Sequence, residues 1–189
     1  MKHLLLAAAA LACSTSVNAT PMEWSKASGG NGHYYEIVFN ANVSWFDAHD
    51  AAAAKTHNGW AGHLATITSL SEQLFLNGLN PTQQNAWIGA SDEEEEGVWK
   101  WVVGPEAGEV VSYAKWAPGE PNNSAGGVAE HHATAWWSGD RWNDLPGTWS
   151  KYSPAYVIEY SEPAPVPLPA AGLMLIGSLG ALSLRRSKA

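Results

Sequence analysis

Cysteine is almost missing from this chain. The only one, Cys13, lies in the apolar stretch near the start, and none occurs from Thr20 to Glu162. A disulfide framework is therefore excluded for that region, and its fold must be held by its core and, as an expectation, by bound metal. Positive charge is also scarce. From Thr20 to Glu162 six basic side chains (Lys26, Lys55, Lys100, Lys115, Arg141, Lys151) face all eighteen acidic ones, a balance of −12. Such a surface repels nucleic acid and attracts cations, so no nucleic-acid partner is expected. No His-Glu-x-x-His pair, nucleophile elbow or phosphate loop occurs, so we expect no enzyme. Phenylalanine is rare at three, but tryptophan reaches eleven and glycine eighteen. That balance suits a compact, loop-rich domain with aromatic anchors rather than a helical bundle.

Both ends carry targeting signals. Residues 1–19 read as a signal peptide: Lys2, an apolar run from Leu4 to Ala12, and a small-residue cleavage site at Val17-Asn18-Ala19. Export normally favours disulfides, so their absence conflicts with this reading, and we follow the targeting signals. Residues 162–169 form a stiff proline linker ending in Val166-Pro167-Leu168-Pro169. Residues 170–184 are apolar and uncharged. Counted from Leu168, the run is seventeen residues, the short limit for a transmembrane helix. Residues 185–189 supply Arg185, Arg186 and Lys188, a basic end expected to stay cytoplasmic and leave the domain outside.

Between these ends, residues 20–31 read as a linker and 32–161 as one domain. His33 to Phe39 alternates as a strand, with Tyr35, Ile37 and Phe39 on one face. Ser44 to Thr56 reads as an alanine-rich helix capped by Ser44. His63 to Ile67 is a short extended piece. Ser69-Leu70-Ser71-Glu72 is a capping-box pattern opening a second helix, with Leu70, Leu74 and Phe75 on its buried side and Gly78 and Pro81 ending it. Beyond that there is no helical period. Short apolar pieces (Ala86 to Ala90, Val98 to Val103, Ala133 to Trp137, Tyr156 to Tyr160) are separated by Gly, Pro and Asn. The order implies an α+β fold.

The chemistry is concentrated from Glu120 to Asp144. Three carboxylates (Glu120, Glu130, Asp144) and two amide oxygens (Asn122, Asn143) form an oxygen-rich, sulfur-free set suited to a hard cation such as calcium.

Several motifs resemble the C-type lectin-like domain, in order along the chain. The Tyr34-Tyr35 strand and two helices are followed by Gly62-His63-Leu64-Ala65-Thr66-Ile67, Trp87-Ile88-Gly89 and Asp92 to Gly97 leading to Trp99 and Trp101. Next come Trp116, Gly119-Glu120-Pro121-Asn122-Asn123 and Trp142-Asn143-Asp144. The resemblance covers about residues 32 to 160. It implies a double-loop fold with paired terminal strands, two helices flanking short antiparallel sheets, and a long calcium-binding loop. It also implies calcium at Glu120, Asn122, Glu130, Asn143 and Asp144, and a cis Glu120–Pro121 bond. A sugar is implied on that ion, contacted by Glu120, Asn122, Glu130 and Asn143, with mannose/glucose types favoured by Glu120-Pro121-Asn122. A second calcium is suggested at Asp92, Glu96, Asn123 and Glu130, although the family usually has an acid where His131 stands. The tail resembles the VPLPA form of the PEP-CTERM sorting signal, through Val166, Pro167, Leu168, Pro169 and Ala170. That implies an exosortase-type sorting protease, a membrane through the C-terminal helix, and delivery to the surface or matrix of a Gram-negative bacterium.

The expected function is thus calcium-dependent binding of a glycan or extracellular polysaccharide. The alternative is a surface protein of the same fold that binds protein or stiffens a matrix, with calcium structural only. Trp136, Trp137 and Trp149 are a candidate aromatic patch for it, at least two of them expected in the core. A zinc site can also be drawn from Glu130, His131, His132 and Asp144, but neighbouring residues on a strand point to opposite faces. Two residues appear inserted between Asn122 and Glu130, and Gly126-Gly127 would make that loop flexible enough for Glu130 to miss the ion.

Overall fold

The computed structural model describes residues 20–39 and 41–162. The expected signal peptide, sorting motif, apolar helix and basic end lie outside the described residues. Among the described residues no helix is long and apolar enough to cross a membrane.

The chain runs β1 (Met22–Glu23), β2 (Tyr34–Val38), α1 (Trp45–Ala53), β3 (Thr56–His57), β4 (Trp60–Leu64), α2 (Leu70–Leu79), β5 (Ala86–Ser91), β6 (Lys100–Trp101), β7 (His132–Ser138), β8 (Arg141–Leu145) and β9 (Ala155–Tyr160). The sheet order is β1-β2-β9-β5-β7-β8; β4 also pairs with β9, and β6 with β5. The first long strand and the last, β2 and β9, pair antiparallel with Tyr34 opposite Tyr160. This closes the chain on itself, as the double-loop expectation requires, and two helices with a mixed sheet make the fold α+β. Within the stretch expected as a linker, Met22–Glu23 pairs with β2 and Trp24 stacks on Phe75.

Both helices start where their caps put them. Ser44 Oγ accepts from Asp47 N–H at 3.1 Å, and Ser69 Oγ accepts from Glu72 N–H at 3.1 Å, each satisfying one orphan donor of the first turn. The core forms two clusters. One joins Trp45, Ala48 and Ala52 of α1 to Leu64, Trp87, Leu145 and Ile158; the other joins Leu76 of α2 to Tyr35, Ile37, Ile88, Trp101 and Trp142.

Three expectations are corrected. In α2, Leu70 and Leu74 are 52% and 56% exposed, and Glu72, Gln73 and Leu76 are buried instead. The helix is rolled because polar partners wait inside. Tyr35 and Thr68 donate to Glu72 at 2.5 and 2.9 Å, and Trp142 Nε1 donates to Gln73 Oε1 at 2.7 Å. Gly78 lies within α2, whose cap is Asn80. Finally, Arg141–Leu145, which no apolar run announces, is strand β8.

The long segment between β6 and β7 carries little regular structure; it folds back on β6 through the Lys100–Val110 bridge and is stitched to β8 at Trp142. Trp142 N–H donates to Lys115 O, and Ala117 N–H donates to Trp142 O, both at 2.8 Å. The Trp142 ring packs edge-on against Trp101, Tyr113 and Trp116. One buried indole thus fixes the long loop on the strand that continues into Asn143 and Asp144.

Candidate functional site

That stitch sets Glu120, Asn122 and Asn123 beside Asn143 and Asp144. The Glu120–Pro121 bond is cis, as the resemblance implied. Beyond it, Asn122 N–H donates to Asp144 Oδ2 at 3.1 Å and Asn123 N–H to the same oxygen at 2.8 Å. Asp144, 1% exposed, therefore anchors the loop as well as facing the site. The Asn122 amide donates to Glu120, which keeps these two side chains on one side of the turn.

Glu130 arrives by a route the sequence made look loose. Ala125 and Val128 pair as an antiparallel bridge, closed by Val128 N–H donating to Ala125 O at 3.2 Å. Gly126 and Gly127 between them have φ of +63° and +92°, a region where only glycine is at ease. The inserted residues thus form a tight two-glycine hairpin, not a slack loop. It returns Glu130 so that Ser124 N–H donates to its Oε2 at 2.7 Å, while Glu130 N–H donates to Asn123 Oδ1 at 2.8 Å.

The electrostatics call for a cation. Burial, then the charge and close approach of Asp144, then Glu130 raise the proton affinity of Glu120 above its ordinary value. Burial and the charge of Asp144 do the same to Glu130, against the opposing Ser124 hydrogen bond. Asn143 Oδ1 is buried without a hydrogen-bond partner, while its Nδ2 donates to Asp144 O at 2.8 Å. An unsatisfied buried carbonyl is costly unless something electropositive meets it. Mutually repelling carboxylates and an orphaned amide oxygen are donor types that fit a hard divalent ion. The three carboxylates are not themselves drawn into a tight triangle; each is held by the N–H donors just described.

Residues 42–153 match the family described as "Lectin C-type domain". The chain belongs to the C-type lectin domain family. Over 134 residues it is 35% identical to the hepatic lectin of Gallus gallus, covering 71% of this chain and 56% of that protein. Over 102 residues it is 43% identical to halomucin of Haloquadratum walsbyi, covering 49% of this chain and 1% of that protein. The match therefore spans little more than half of one curated relative and a small part of the other. Among solved structures, the cow C-type carbohydrate-recognition domain of CD23, determined in the presence of GlcNAc2Man3 oligosaccharide, aligns with a TM-score of 0.55. It is 26% identical, covering 70% of this chain and 90% of that one. Proteins of this lectin fold are generally non-enzymatic binding proteins, and C-type lectin domains typically bind Ca2+.

The residues suggested for a second calcium are brought together in part. Asp92 Oδ1 lies 3.0 Å from His131 Nδ1, and Glu96 Oε2 lies 3.5 Å from the same nitrogen. Asn123 Nδ2 donates to Glu96 at 2.7 Å, so Asn123 presents a hydrogen rather than an oxygen to this group. Glu130 is turned to Ser124. The set does not fit the all-oxygen cage calcium takes.

His131 and His132 point to opposite faces, which separates the members of the zinc arrangement drawn from the sequence. His132 packs on Trp45 and Phe46, with ring centroids 4.5 and 5.1 Å away. Burial, then the neighbouring His131, lowers its pKa to about 4, so it is a neutral packing residue. Trp136 is in the core, Trp149 packs partly buried, and Trp137 is exposed. Sequence reasoning missed the role of the Asn122, Asn123 and Ser124 backbone N–H groups; the Gly126-Gly127 pair flanked by Ala125 and Val128 was the available signal for the hairpin.

Proposed function

We propose that this chain is an exported, calcium-dependent carbohydrate-binding protein. The observations that support the reading are the orphaned, buried Oδ1 of Asn143, next in the chain to Asp144, and the raised proton affinity of Glu120 and Glu130, to which the Asp144 charge contributes. Glu120, Asn122, Glu130, Asn143 and Asp144 would hold the ion. Calcium bound there supplies a positive centre with coordination positions left over for neighbouring sugar hydroxyls. The chain's own groups do the rest. Carboxylates of Glu120 and Glu130 accept hydrogen bonds from those hydroxyls, and the amides of Asn122 and Asn143 donate to them. The Trp142 stitch and the two-glycine hairpin hold the set in place before ligand arrives, which lowers the ordering cost of binding.

Glu120-Pro121-Asn122 supports a preference for mannose/glucose types. Residues 1–19 and the Val166-Pro167-Leu168-Pro169-Ala170 tail support export, handling by an exosortase-type protease through a membrane-inserted helix, and display on a cell surface or in a matrix. A shallow single site binds a monosaccharide weakly, and display in many copies supplies avidity. The test is a glycan array with the full chain in calcium and in chelator. Calcium-dependent signal on mannose- or glucose-type glycans is expected. No signal in calcium, or one unchanged by chelator, overturns the reading and favours a surface protein in which calcium is structural only.

A further inference from the structure

The cluster at Asp92, Glu96 and His131 is left unused by that reading, and its geometry is specific. One ligand atom from each of the three lies within 4.8 Å of the other two, the only such group of His, Cys, Asp or Glu among the described residues. Each carboxylate is oriented from outside the group. Gly97 N–H donates to Asp92 Oδ2 at 2.8 Å, leaving Oδ1 for the ring, and Asn123 Nδ2 holds Glu96 Oε2 at 2.7 Å. Asp92 is buried, while Glu96 and His131 keep one side open to solvent.

The donor set is one imidazole nitrogen and two carboxylate oxygens. Calcium and magnesium select all-oxygen cages, whereas imidazole with carboxylate suits zinc-class ions. Around a tetrahedral zinc with bonds of about 2.0–2.1 Å, ligand atoms sit about 3.3 Å apart. The 3.0 and 3.5 Å separations from His131 Nδ1 bracket that spacing. We propose that Asp92, Glu96 and His131 form a binding site for a zinc-class divalent cation, separate from the oxygen-donor site at Glu120 to Asp144. On binding, His131 Nδ1 gives its lone pair to the ion, and any proton it carried leaves to solvent. Three protein ligands leave a fourth position for water. Because Glu96 also holds Asn123, whose Oδ1 takes the Glu130 N–H, occupancy would brace the loop that carries the calcium ligands.

The test titrates zinc into the untagged full chain by calorimetry, with bound metal counted after dialysis, alongside His131→Gln and Glu96→Gln. One zinc per chain is expected, with affinity reduced more than about tenfold in both variants. His131→Asp, which makes the set all-oxygen, should exchange zinc for an added calcium. Calcium-induced thermal stabilisation at the other site reports that each variant is folded, and its absence in the wild type would count against the calcium reading without touching this one. No zinc uptake at micromolar concentration, or wild-type zinc affinity in both variants, would show an ion pair only and overturn the proposal. Should His131→Gln not fold, Glu96→Gln at the exposed carboxylate decides alone.

Discussion

Two acidic groups meet at Asn123 and are supported in opposite ways. Asp144 and Glu130 are held by backbone N–H groups of a loop pinned to β8, and Glu120 by the side-chain amide of Asn122. Around Asp92 and Glu96 the partner is a side chain, the His131 imidazole, placed on the carboxylates directly. The first group keeps a surplus of negative charge and an orphaned amide oxygen. The second sets an imidazole nitrogen against both of its carboxylates. Acidic residues alone do not define a calcium site. What matters is which atoms already partner the carboxylates.

The largest effect is expected at Asp144. It is buried and accepts two backbone hydrogen bonds that fasten the Asn122–Asn123 turn, besides being a proposed ion ligand. Hydrogen bonds to a charged group contribute about 1.5–3 kcal/mol each. Asp144→Ala is expected to weaken calcium affinity at least about a hundredfold, beyond the range of outer-shell changes. It should also cost about 3 kcal/mol of stability in chelator, read by urea unfolding. At free calcium a hundred times the dissociation constant, the wild type should gain about 2.7 kcal/mol over chelator. An identical melt in the two conditions would sink the principal site.

Much of this was legible in the sequence. Ordered motifs fix the fold, because Gly62, the Trp87-Ile88-Gly89 strand and the Trp142-Asn143-Asp144 strand each meet a packing demand at a set place in the chain. The proposed ligand types rest on side-chain identity alone, because oxygen chemistry is written there. Three features were not legible. The roll of α2 was hidden because Leu70 and Leu74 look like a core stripe, yet the partners of Glu72 and Gln73 come from Tyr35 and Trp142, distant in sequence. Strand β8 was hidden because four of the five residues of RWNDL are polar or aromatic. The path of Glu130 is not legible because a Gly-Gly pair in sequence suggests slack, whereas paired positive φ makes a tight hairpin.

The hairpin gives the next prediction. Gly126→Ala with Gly127→Ala forces two L side chains into the left-handed region, costing about 1 kcal/mol at each position. Nothing lies within 4 Å of either added Cβ, so the effect is conformational rather than steric. Calcium affinity should fall about tenfold as Glu130 loses its position, with little change in chelator-state far-UV spectrum. Unchanged affinity would mean that Glu130 does not hold the ion.

The pH response should separate the calcium site from the buried core. Burial, then the charge of Glu159, pushes Glu72 up to about 7. A carboxyl raised above its unfolded value stabilises the fold at low pH, and that contribution is lost as pH rises through about 7. Glu120 and Glu130 are raised too, so in chelator the domain should be more stable at pH 6 than at pH 8, by on the order of 1 kcal/mol. Calcium reverses the sign at its own site, because the ion needs both carboxylates ionised. Its stabilisation should shrink on acidification and vanish near pH 4. Glu72→Gln should flatten the chelator slope and leave the calcium response intact; a slope unaffected by that change would remove Glu72 as its source.

The smallest effect is expected where the two groups touch. Asn123 donates to Glu96 and accepts from Glu130 N–H, and its own N–H to Asp144 is backbone and survives substitution. Asn123→Ala therefore removes the link without removing a proposed principal calcium ligand. A lost hydrogen bond of this kind is worth about 1 kcal/mol, which corresponds to a roughly fivefold fall in calcium affinity. If the link transmits position from Glu96 to Glu130, the effects of Asn123→Ala and Glu96→Gln on calcium affinity will not add, because each breaks the same path. Additive losses would show that the clusters share a neighbour but not a mechanism, and that the loop is positioned by Asp144 and the hairpin alone.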